Sequence, residues 1–88
     1  MSAADEATRR ALRAKQAHEA ALLAKANVLG VGVGLRQRSG RGVQQVTIVV
    51  LVRQKVPLAQ LAPPDRIPAE IDGVPIDVQE VGEVRAGA

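Results

Sequence analysis

Apolar and polar positions alternate along two stretches of this chain, follow a looser rhythm in a third, and meet a turn signal in a fourth. Residues 4–26 predict a helix, because Ala, Leu, Arg, Lys, Glu and Gln dominate and all are strong helix formers. Asp5 and Glu6 suit the positive N-terminal end, Lys25 lies toward the other end, and Asn27 is the expected stop. Leu12 and Leu23 share one side, with Ala11 and Leu22 flanking, but Lys15 and Glu19 interrupt that stripe. Propensity therefore supports this helix better than pattern does, and its first turns, through Arg10, are expected to fray.

Residues 28–37 predict a strand by strict alternation. Leu29, Val31, Val33 and Leu35 make one face, while Gly30, Gly32 and Gly34 leave the other almost bare backbone. Glycines on one face of a strand mark close approach by another element. The alanine-rich helix is the nearest candidate to lie there, and a second copy of the sheet is the other. Residues 38–42 read as a hairpin loop, and 43–55 as the returning strand. Val46, Ile48, Val50 and Val52 fill one of its faces, and Val49 and Leu51 add bulk to the other, so it belongs in the centre of a sheet. Its Thr47–Val52 window is aggregation-prone, with Arg53 and Lys55 as gatekeepers.

Pro57, Pro63 and Pro64 mark residues 56–67 as a connection, with one helical turn at 58–61. Ile71-Asp72-Gly73-Val74 carries the Asp-Gly signature of a two-residue hairpin. That register sets Pro75 opposite Glu70 and Pro68 opposite Asp77, and it makes the prolines' side an edge. The final strand runs on through Val81 and Val84. The expected fold is α+β in one domain spanning 1–88. An N-terminal helix packs on a small, mainly antiparallel sheet of three or four strands, with a Pro-rich connection, an Asp-Gly hairpin and a flexible tail at 85–88.

Composition sharpens this picture. The 88 residues contain no Phe, Tyr, Trp or Cys, and one histidine, His18. A chain this short with a purely aliphatic core is thinly stabilised, which favours self-association or a larger partner. Residues 1–55 carry ten Lys/Arg against three acids, a net +7, whereas 56–88 carry two against six, a net −4. Opposite halves of this kind suit pairing within or between copies. No apolar secretory region opens the chain, and the longest apolar run, near 48–52, is far too short to span a bilayer. A cytoplasmic protein is expected.

Candidate chemistry is sparse. The glycine alternation at 30–34 lacks the spacing and the following helix of a dinucleotide loop. Arg38 and Arg41 with Gly40 and Gly42 could hold an anion, although a solvated hairpin tip is the simpler reading. His18 has no cysteine to activate, and the only serines are Ser2 and Ser39, so a Ser–His device is disfavoured. Asp72, Asp77, Glu80 and Glu83 do not have calcium-loop spacing. Arg9, Arg10, Arg13 and Lys15 make the helix basic, but stacking aromatics for nucleic acid and large apolar residues for a membrane surface are lacking.

The segments HEAALLAKANVLGVGVGLR, VTIVVLVRQKVP and RIPAEIDGVPIDVQEVGEVR, spanning His18 to Arg85, resemble the N-terminal region of bacterial trypsin-like serine peptidase-related proteins. Asn27 to Gly34 and Ile67 to Gly82, with its Ile-Asp-Gly-Val-Pro core, carry the resemblance most strongly. It implies an accessory module that lacks the catalytic triad, standing alone or working with a peptidase-like partner.

The expected function is that of a non-enzymatic assembly module without cofactor or metal, forming a homo-oligomer or docking on a larger protein. Gly30, Gly32, Gly34, Val49 and Leu51 are the expected interface, with Arg36, Arg38 and Arg53 pairing with Asp77 and Glu80 to set orientation. The alternatives are a prodomain-like chaperone or inhibitor of a trypsin-like peptidase, and an anion or nucleic-acid binder using the basic helix and the 38–41 loop.

Overall fold

A computed structural model describes residues 3–38 and 43–81. Helix α1 (Ala3–Leu23) leads into β1 (Val28–Arg38) and β2 (Val43–Val52). Two 3-10 turns, Leu58–Gln60 and Pro63–Asp65, precede β3 (Glu70–Ile71) and β4 (Val74–Glu80). The strands form one sheet in the order β1-β2-β4-β3, with α1 packed on one face, so the fold is α+β. As its two apolar faces require, β2 is interior.

Antiparallel ladders join β1 to β2 and β3 to β4, but β2 and β4 run parallel, making the sheet mixed rather than uniformly antiparallel. Parallel neighbours need a crossover of about a dozen residues or more, and the connection at 53–69 supplies it. Asp72 (φ 52°) and Gly73 (φ 79°) both adopt positive φ, as a type I′ turn demands. Glu70 faces Pro75 in the expected register, and the Ile76 N–H donates to Ala69 O at 2.9 Å. The Pro75 side is not an edge, however, although β3, next to Pro68, does end the sheet. Pro75 has no N–H to give, and the β2–β4 ladder starts one residue later, at Ile48 and Ile76.

The core differs from the sequence expectation in three ways. First, α1 buries Ala11, Ala14 and Leu22, whereas Leu12 and Leu23 stay 51% and 45% exposed. Alanines let the helix backbone settle close to the branched side chains of Ile48, Val50, Val52, Val74 and Ile76. Second, the helix does not lie on the glycines. Cross-strand partners share a face, and Val31–Val50 and Val33–Ile48 are partners on the helix side. Burying that valine and isoleucine surface yields far more hydrophobic stabilisation than covering bare backbone. Third, the β1 alternation breaks. The register shifts between Val28 and Gly30, so Val28 turns toward the core and Leu29 is left 47% exposed.

Asn27 secures the junction. Its φ of 76° ends the α1–β1 turn, and its side-chain amide donates to Gln54 O while Oδ1 accepts the Gln54 N–H at 3.2 Å. Its carbonyl also takes the Arg53 N–H at 3.0 Å, which fastens the end of β2 to the start of β1. The connection is tied down alongside. The Ala26 N–H donates to Asp65 Oδ1 at 2.9 Å, and Lys25 Nζ to Pro64 O at 2.6 Å. α1 is continuous from Ala3. Val84 and the 85–88 tail lie outside the described residues.

Candidate interaction surface

The sheet face opposite α1 brings the expected interface residues together. Pairing sets Gly30 beside Leu51, Gly32 beside Val49 and Gly34 beside Thr47; the parallel ladder then adds Asp77 beside Val49 and Gln79 beside Leu51. The result is a trough of bare backbone along β1, an aliphatic ridge along β2 and a polar border along β4. No helix or strand among the described residues lies over it.

The trough is uneven. A Cβ built on Gly30 would sit 3.6 Å from Leu51 Cδ1, ordinary contact, and one on Gly34 would meet Val49 Cγ2 at 2.9 Å, a clash. One on Gly32 would meet nothing within 4 Å among the described residues. Val49 therefore leans over Gly34 and leaves Gly32 open. Val49 and Leu51 are half-buried, with apolar surface still facing out. Thr47, at the end of the ridge, is fully buried, and its hydroxyl has no hydrogen-bond partner among the described residues. Nothing in the sequence marked that threonine, since a hydroxyl on a strand's second face usually reaches water.

Charges border the ridge without closing on one another. Arg36 Nη2 donates to Gln45 Oε1 at 3.0 Å, and Asp77 Oδ2 accepts from Gln79 Nε2 at 2.9 Å. Glu80 Oε1 accepts the Lys55 N–H at 3.0 Å. Among the described residues no ion pair joins Arg36 or Arg53 to Asp77 or Glu80. Arg38 ends β1, and the proposed anion loop beyond it lies outside the described residues.

Two features escaped the sequence. His18 Nε2 lies 3.2 Å from Asp72 Oδ2, linking α1 to the Asp-Gly turn across 54 residues. Both side chains are well exposed, at 40% and 59%, which makes this a surface clasp. Ser2 and Ser39, the chain's only serines, lie outside the described residues. The second feature is a cleft of about 230 Å³ where the connection folds over the ends of β2 and β4, walled by Val52, Leu58, Leu61, Ile67 and Val78. The prolines announced a loop there but not the direction in which it folds. No helix among the described residues is long and apolar enough to cross a membrane. Neither models of known protein families nor curated proteins match this chain.

Proposed function

We propose that the protein is a non-enzymatic assembly module whose outer sheet face receives the same face of a second copy. The trough beside the ridge carries this reading. A two-fold axis parallel to the strands, between β1 and β2, sets each copy's Val49 and Leu51 over the other's Gly30 and Gly32. The contact is then self-complementary, as an isologous interface must be. The open space over Gly32 fits an incoming side chain, and the thin aliphatic core gives association something to stabilise.

Light scattering across protein concentration and salt tests the reading. The expected result is a discrete oligomer, insensitive to salt, that Val49→Thr with Leu51→Thr dissociates without unfolding the chain. A wild type that stays monomeric at high concentration refutes it. The resemblance to segments preceding trypsin-like peptidase domains supports a second reading, with a peptidase-like partner on the same face. The residues carrying that resemblance form β1 and the β3–β4 turn. A monomer that gains stability only when such a partner is added favours it.

A further inference from the structure

A different surface, independent of the outer face, lies along the free edge of β1. Four of the exposed large hydrophobics, Leu12, Leu23, Leu29 and Leu35, belong to β1 and α1. β1 ends the sheet, and no described strand pairs with its outer side. The flank of α1 bearing Ala21 faces the other end of the sheet, since Ala21 shares a shallow hollow with His18, Pro68 and Ile71, and His18 also meets Asp72. At about 100° per residue, Leu12, Lys15, Glu19 and Leu23 fall on the opposite flank, above the β1 edge.

We propose that a second copy of this chain pairs its β1 antiparallel to this β1 about a two-fold axis, so that the two α1 helices pack side by side. The spacing fits. α1 lies chiefly over β1 and β2, so its axis stands roughly 2.4 Å inboard of β1, half the strand separation of about 4.8 Å. Adding one strand separation between the two β1 edges puts the helices about 10 Å apart, the normal packing distance for helices. The stripe fits as well. It is symmetric about residues 17 and 18, so an antiparallel partner brings Leu12 against Leu23 of the second copy and Lys15 against Glu19 of the second copy. Lys15 and Glu19 already pair within one helix at 3.0 Å, and the two-fold turns that pair into a four-charge cluster with alternating signs. The midpoint of the stripe lies about 8 Å along the helix from Leu23, a little over two strand residues past Val28, which puts the axis near Val31.

The absence of native cysteine allows a direct test. Leu12→Cys and Leu23→Cys chains, each verified as folded by circular dichroism, are mixed and mildly oxidised. In the seam, position 12 meets position 23 of the partner, while two positions 12 lie about 16 Å apart along the helices. The expected product is the mixed disulfide, exceeding either homodisulfide by about tenfold or more. A statistical distribution of the three products overturns the proposal. Charge exchange gives a second readout. Lys15→Glu and Glu19→Lys should each slow cross-linking when present in both partner chains, and pairing a Lys15→Glu chain with a Glu19→Lys chain should restore it. Failure to restore also counts against the seam. Val49→Thr with Leu51→Thr should leave the cross-link intact, so loss of the outer-face contact and loss of this seam are read separately.

Discussion

Gly32→Val separates folding from assembly. A Cβ at Gly32 meets none of the described residues, whereas its neighbour Gly34 is shadowed by Val49. Valine is a good strand former and reduces the freedom of the unfolded chain, so the monomer should be stabilised by about 0.5–1 kcal/mol. For a domain of this size that raises the melting temperature by a few degrees, about 4–8 °C per kcal/mol. Assembly should respond in the opposite direction. Val49 and Leu51 are each no more than about a third exposed in one copy, so covering the remainder contributes at most about 0.7 kcal/mol per side chain, about a third of the value for full burial. Counted over both copies, the ridges contribute at most about 2.8 kcal/mol, roughly two orders of magnitude in dissociation constant. Valine side chains filling both troughs would hold the sheets apart and forfeit most of that. The assay is sedimentation equilibrium over a wide concentration range, with thermal melting below the dissociation constant. The expected result is a more stable monomer that associates about twentyfold more weakly, some two-thirds of the ridge contribution. Unchanged association, or a monomer that melts lower, refutes the reasoning.

The remaining predictions concern the single chain. Gly34→Ala should destabilise by about 1 kcal/mol, because stiff Val49 cannot move aside; Gly32→Ala should be neutral or better, and paired melting curves decide. Asn27→Ala should cost about 2–3 kcal/mol in urea unfolding, losing both the positive-φ residue and the Gln54 hydrogen bonds. Asn27→Gly should cost about half as much, because it keeps the backbone freedom. Thr47→Val should stabilise by about 1 kcal/mol, since it removes a buried hydroxyl without a partner. A lower melting temperature would show that the hydroxyl is paired in solution.

What could be read from the sequence was what depends on near neighbours. Asp72-Gly73 fixed its hairpin register because turn chemistry is decided by two residues, and β2 declared itself interior through Val49 and Leu51 on its second face. The helix stripe was misjudged because leucine dominates any pattern of hydrophobicity, whereas packing chose Ala11 and Ala14 for their size. Leu29 was grouped on one face with Val31 and Val33 because alternation has no means of signalling a bulge. The parallel β2–β4 ladder depends on the course of 53–69, which no local signal encodes. The outer face kept its expected membership, but the helix went to the other side because the valines there had more to bury.

The parallel ladder also has a kinetic consequence. β1 and β2 are close in sequence and can zip together early, whereas β4 must wait for a long crossover to close before it reaches the far side of β2. Until then the Thr47–Val52 window has one flank unsaturated, at the moment when neighbouring nascent chains are available to fill it. Arg53 and Lys55 stand at its end as charges that an intruding strand would have to accommodate. The two cations thus guard an interval of synthesis and refolding that leaves no trace in the finished molecule.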